Sequence, residues 1–181
     1  MTKRPRFLAI YLTALALFIG GVSNAQSIQK SKLRFGIGVD GLLPVGDLRN
    51  TANFGLGLTP RLQYGVADNV ALTFTSGLYH FFMKDFYITD GAQTYKYQND
   101  LDLIPVKAGI KAFVSSNIYI GAEAGIGFQV DNGGGDSKFL SSGGIGYASK
   151  KWDVGARYES FGANGYRNGV IGLRVAYGFG L

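Results

Sequence analysis

The sequence predicts an all-β fold, an eight-stranded antiparallel up-and-down transmembrane β-barrel preceded by a cleavable signal peptide, and three observations predict it. The first is the final stretch, Gly169 to Leu181. There Ile171, Leu173, Val175, Tyr177, Phe179 and Leu181 alternate with Gly172, Arg174, Ala176, Gly178 and Gly180. Successive side chains on a strand project to opposite faces, so this strand is greasy on one side and glycine-lined with a central arginine on the other, as suits a wall with hydrocarbon outside and a polar interior. The second is that the pattern recurs seven times upstream, with connections that alternate long and short and so set short turns at one rim and longer loops at the other. The third is the composition of the polar face. A soluble eight-stranded barrel has the same period with its faces reversed, and its wet surface would be roughly a quarter or more charged. Here that face is mostly Gly, Ala and Thr with isolated charges, while the apolar face carries none.

Residues 1–25 read as a secretory signal: Lys3, Arg4 and Arg6 open it, an apolar run extends from Phe7 to Ile19, and Ser23-Asn24-Ala25 supplies small residues at the cleavage positions. The run is shorter than the roughly 20 residues a membrane-spanning helix needs. Residues 26–181 then form one barrel domain. Three of the 18 basic residues and none of the 12 acidic ones lie in the signal, so the barrel domain carries +3, with no Lys/Arg cluster of the kind that binds nucleic acid. With no cysteine and one histidine, a lipid anchor on cysteine, a disulfide framework and a transition-metal site are all excluded or disfavoured.

The elements follow in order. The first strand sets Leu33, Phe35, Ile37 and Val39 against Arg34, Gly36, Gly38 and Asp40 and stops near Pro44, before a loop from Val45 to Asn53. The second sets Phe54, Leu56, Leu58, Leu62 and Tyr64 against Gly55, Gly57, Thr59, Arg61 and Gln63, with a bulge expected at Pro60, which lacks a ladder donor. The third runs from Val70 to about Phe82. In the longest connection, Met83 to Asp100, two short β-rich runs flank Asp90-Gly91, a hairpin signal. The fourth strand, Leu101 to Phe113, has a second bulge expected at Pro105, because Leu101 and Leu103 fall out of phase with Ile110. The fifth spans Ile118 to Val130, the weakly patterned sixth Phe139 to Ala148, and the seventh starts at Trp152. A loop from Ser160 to Asn168 leads to the eighth. Aromatics near strand ends, Phe54, Tyr64, Phe82, Tyr147, Trp152, Tyr158 and Phe179, are expected to form interfacial girdles.

The candidate functional residues are of two kinds. Arg34, Arg61, Lys107, Lys111, Arg157 and Arg174 all point inward and must find partners among Asp40, Glu123, Asp153 and Glu159, with Lys107 and Glu123 the one pair that cross-strand register suggests. Such networks plug and rigidify a narrow barrel more often than they conduct, since eight strands leave an interior that side chains fill. The other kind is the hairpin at the outer rim, where Phe86, Tyr87, Tyr95 and Tyr97 offer aromatic surface and strand edges to a partner. His80 is an interfacial histidine on the ordinary reading; Ser76, four residues away, is too far along the strand to serve as its nucleophile, so no enzyme is expected. Gly-x-Gly at 36–38 and 125–127 lies within strands, not at strand-to-helix turns, and cradles no phosphate. Gly133-Gly134-Gly135 between Asp131 and Asp136 reads as a loop tip in preference to a calcium site.

The signal segment, the eight alternating strands, Leu-Pro-Val-Gly-Asp at 43–47, Leu-Ile-Pro-Val-Lys at 103–107 and the terminal Gly-Leu-Arg-Val-Ala-Tyr-Gly-Phe together resemble the outer-membrane β-barrel domain family. That family includes small porin-family and PorT-like proteins and is similar in architecture to OmpX, OmpW and the OmpA barrel. The resemblance implies an outer-membrane location in a Gram-negative bacterium, contact with outer-membrane lipid, and insertion by the β-barrel assembly machinery. That machinery reads a terminal strand ending in an aromatic; here Phe179 lies two residues before Leu181. No cofactor is implied. Two function classes stay open: a structural or surface-interaction role through the extracellular loops, with an extracellular or envelope protein as partner, and transport of a small or apolar solute.

Overall fold

A computed structural model describes residues 31–90, 93–97, 100–130, 137–163 and 166–180, with the side chains of 86–97, 163, 166 and 167 left aside. The signal reading at 1–25, the Gly133–Gly135 loop tip and Leu181 lie outside the described residues. The strands in chain order are β1 (Leu33–Gly46), β2 (Ala52–Ala67), β3 (Val70–Ser76), β4 (Leu78–Met83), β5 (Phe86–Asp90), β6 (Gln93–Tyr97), β7 (Leu101–Phe113), β8 (Ile118–Val130), β9 (Ser137–Ala148), β10 (Trp152–Ala163) and β11 (Tyr166–Gly180). A single helical turn, α1 (Leu48–Thr51), joins β1 to β2. Each barrel strand pairs antiparallel with its sequence neighbours, and β1 closes on β11 from Arg34 opposite Gly180 to Gly46 opposite Asn168. Because β3 and β4 together form one barrel stave, the result is a closed eight-stranded barrel.

The alternation resolves as the sequence requires. On β11, Leu173 is 57% exposed and Val175 48% on the outside, while Arg174 between them is 4% exposed inside. Aromatics gather at both rims: Phe54 stacks on Phe82 at 4.5 Å on the loop side, and Trp152, Tyr177 and Phe179 form a chain of edge contacts on the turn side. Rings at these levels suit the water–lipid boundary.

Neither proline makes a bulge. The β1–β2 register runs without a slip from Leu33 opposite Tyr64 to Leu42 opposite Gly55, through Pro60. The β7–β8 register runs equally cleanly past Pro105. Register shifts fall instead near the two ends of β2, between Ala52 and Phe54 and between Gly65 and Ala67, and the ladder opens on the strand between the prolines, at Gly77, where φ is +144°. Arg61 faces Thr75 below this break and Leu58 faces Leu78 above it; Ser76 faces Val106 below and Tyr79 faces Leu103 above. The register is the same on both sides, so nothing is inserted. The ladder simply opens where two neighbouring strands each carry a residue without an N–H donor. A Cβ at Gly77 would stand 2.8 Å from the Thr59 Cα, so glycine is the residue that fits there.

Two loops are shorter than the sequence suggests. β1 continues through Pro44 to Gly46, and β10 and β11 continue pairing until Ala163 faces Tyr166. Beyond the lipid belt both faces meet water or protein, so the apolar alternation fades while the backbone groups still require partners, and the ladders persist.

Candidate functional site

The inward face of every strand meets the others in the lumen, which is filled in three tiers. At the turn-side rim, Phe113, Tyr119 and Ala148 form a small apolar floor. Above it Asp153 is held by Lys111 and by the Tyr119 hydroxyl, which donates to Oδ1 at 2.6 Å. The Lys111 ammonium lies 3.9 Å from the Tyr119 ring centroid, a cation–π contact in a desolvated setting. Arg34, at the rim itself, donates to the Ser149 carbonyl at 2.9 Å.

The middle tier holds two linked ion clusters. In one, Arg61 donates through Nε to Thr75 at 2.8 Å and through NH2 to Glu123 at 3.0 Å, and the Thr73 and Thr75 hydroxyls donate to Glu123 Oε1 at 3.1 and 2.8 Å. In the other, Asp40 accepts from Arg157 at 2.6 Å, Arg174 at 3.2 Å and the Thr59 hydroxyl at 2.5 Å. Glu159 accepts from Lys107 at 2.8 Å and Arg157 Nε at 2.9 Å. The Tyr79 hydroxyl joins them, accepting from Lys107 at 3.0 Å and Arg157 at 2.9 Å and donating to Glu159 at 3.3 Å. Each carboxylate here thus has several charge-assisted donors, the condition under which a buried charge is tolerated.

The third tier is apolar. Leu42, Tyr79, Phe81, Leu103, Leu140, Phe161 and Val170 pack together inside the loop-side half of the barrel, with Leu48, Met83 and Leu101 against them. Phe81 and Phe161 meet edge to face at 5.9 Å. This plug accounts for Leu101 and Leu103. They belong to the interior, in phase with Lys107, and no bulge is needed to explain them.

The structure therefore brings all ten sequence-derived lumen charges into one enclosed column, Arg34 at its rim. Lys107 and Glu123 approach to 3.7 Å, but Lys107 faces Gly125 across the ladder and its short contact is to Glu159. The threonines 59, 73 and 75 and the tyrosines 79 and 119 complete the network. Their inward phase was readable, their role was not. Phe86 faces Tyr97, Tyr87 faces Lys96 and Ile88 faces Tyr95 in a two-stranded sheet of β5 and β6 that is separate from the barrel ladder. His80 stands about a third exposed at the loop-side rim, its Nδ1 2.7 Å from Asp102 and its ring edge-on to Phe82 at 4.5 Å.

No protein-family model and no curated protein matches the chain. Among solved structures, the fold is similar to that of Ail, the attachment invasion locus protein of Yersinia pestis, in a phospholipid nanodisc, with a TM-score of 0.56 and 14% identity over 83% of this chain and 100% of that one. A crystal structure of Ail with the heparin analogue sucrose octasulfate gives 0.50 at 14% identity, again over 83% and 100% of the two chains. A de novo designed transmembrane β-barrel gives 0.50 at 17% identity over 84% and 99%. The likeness at these identities is one of fold. Combined with an exterior that only hydrocarbon can solvate and a polar, enclosed interior, it makes this chain an outer-membrane β-barrel.

Proposed function

We propose that this outer-membrane barrel works at the cell surface as an interaction platform, closed to solutes, with the β5–β6 hairpin capturing an extracellular or envelope protein by strand addition. The observation that carries this reading is that β5 and β6 pair with each other and, among the described residues, with nothing else. A two-stranded ribbon has two outer edges of backbone donors and acceptors, and such edges recruit strands. A lumen filled by ion clusters and an apolar plug favours a platform over a channel. Ail, described as an attachment protein, supplies an analogy at the level of fold alone. The remaining parts of the reading rest on the sequence: removal of residues 1–25, insertion by the β-barrel assembly machinery, kinship with small porin-family and PorT-like barrels, and no enzymatic role.

The test is to replace residues 86–97 with a short turn and compare cross-linked partners in intact cells. The shortened protein should still fold, as judged by its heat-dependent gel mobility, and lose a partner that the full chain captures. Undiminished capture would refute the hairpin's role. A second reading, lateral passage of an apolar solute, has one observation in its favour, the open ladder at Gly77 between Pro60 and Pro105. Uptake of an apolar dye by proteoliposomes no faster than by protein-free vesicles would remove it.

A further inference from the structure

The enclosed charges do not balance. With Arg34 at the rim set aside, the described lumen holds the cations Arg61, Lys107, Lys111, Arg157 and Arg174. Against these five stand four carboxylates, Asp40, Glu123, Asp153 and Glu159. Glu123 pairs with Arg61, Asp153 with Lys111 and Glu159 with Lys107, so the surplus falls where Arg157 and Arg174 share Asp40. A cavity of about 40 Å³ lies beside the middle tier, and Arg61, Lys111, Arg157 and Arg174 all line it, with Glu123 as its one carboxylate. Both Glu123 oxygens are already engaged by Arg61, and Oε1 also by Thr73 and Thr75.

Arg174 gives the second observation. It is 4% exposed, its NH1 and NH2 are committed to Asp40 and Thr59, and its Nε has no hydrogen-bond partner. A buried guanidinium N–H without a partner is unfavourable, and so is a buried positive charge in excess of its carboxylates. Gly121, Gly144, Gly155 and Ser142 also line it and offer no carboxylate, and at Gly121 space is open, the nearest neighbour of an added Cβ standing at 3.6 Å. One water needs roughly 10–15 Å³ of such space, so there is room for one ion of halide size with a water or two, and none for an organic anion.

We propose that this cavity is a binding site for one small monovalent anion, which supplies the counter-charge that the side chains lack. The anion acts as a structural ligand: it binds the folded barrel and not the unfolded chain, and so stabilises it.

The protein refolded in detergent should unfold in urea at a midpoint that rises saturably as sodium gluconate, whose anion is too large for the cavity, is replaced by sodium chloride at constant ionic strength. At a chloride concentration ten times the dissociation constant the folded-to-unfolded ratio should be about tenfold higher. Crystals soaked in bromide should show anomalous scattering between Arg61, Lys111 and Arg174. In Gly121→Asp a carboxylate replaces the ion. A Cβ at Gly121 meets its nearest neighbour at 3.6 Å and so fits, and Lys111 faces it across the ladder. This variant should lose the chloride response, as should Arg174→Gln, which removes the surplus charge. Equal stability in the two salts, a chloride response undiminished in both variants, or bromide bound only on the outer surface would each overturn the proposal, and the bromide experiment needs no variant to fold.

Discussion

Arg157 on β10 reaches across the lumen to Asp40 on β1, its NH1 2.6 Å from Oδ1. The same carboxylate also holds Arg174 and Thr59, so it ties β1 to β2, β10 and β11 at the height where the barrel closes. Removing it leaves Arg174 in an enclosed site without a carboxylate and Arg157 with Glu159 alone. Asp40→Ala should therefore destabilise the barrel by about 3–5 kcal/mol, measured by urea unfolding in lipid vesicles. Arg157→Met should cost less, because Asp40 keeps Arg174 and Thr59. The double variant should fall short of the sum of the two by about 0.5–3 kcal/mol, the signature of residues in one network.

The barrel's glycines are not equivalent: Gly125 faces the lumen, whereas Gly41 lies on the outer face between Leu56 and Leu173, and the difference is testable. At Gly125 an added Cβ would stand 2.7 Å from the Lys107 Cα on the adjacent strand, and backbone cannot yield as a side chain can. At Gly41 nothing lies within 4 Å. Gly125→Ala should cost about 1–3 kcal/mol as an overpacked site, and Gly41→Ala should stay within about 0.5 kcal/mol of the parent. Equal effects at the two positions would mean that the strands near Gly125 are further apart than described.

Strand number, closure and facing were legible because a two-residue period survives wherever one side meets lipid, and Leu173, Arg174 and Val175 show it at its cleanest. The same rule misled at Leu101 and Leu103. A polar interior along the whole barrel would make inward leucines a slipped phase, whereas the loop-side half of the lumen is apolar. Pro60 and Pro105 were readable as places where the ladder weakens. That the weakness would surface at Gly77, on the strand between them, depends on a register that only the closed barrel fixes. The charged set could be named from phase alone, but which cation meets which carboxylate follows from proximity across the lumen: Lys107 and Glu159 lie on strands that are not neighbours in the sheet.

Orientation toward lipid predicts a depth dependence. Leu173 lies on the outer face opposite Gly41 and Ala156, at the middle of β11, whereas Phe179 lies at the turn-side rim opposite Phe35. Leu173→Arg should cost about 2–4 kcal/mol in lipid vesicles and Phe179→Arg about 0–1 kcal/mol, because a charge at the rim reaches water and one at the midplane does not. If both arginines were tolerated equally, the outer face would not be in hydrocarbon.

The two barriers in the lumen can be separated. Phe81 is 1% exposed and meets Phe161 at 5.9 Å in the apolar plug, so Phe81→Ala should lower stability by about 3–5 kcal/mol through the cavity it leaves. It should not open a pore. Below the plug, Lys107, Arg157, Glu159 and Tyr79 still bridge β3–β4, β7 and β10 across the lumen, and their hydrogen bonds do not involve Phe81. Planar bilayers containing the parent protein or this variant should both stay at baseline current. A steady conductance from Phe81→Ala would mean that the plug alone closes the barrel and that the ion clusters leave a water path around them.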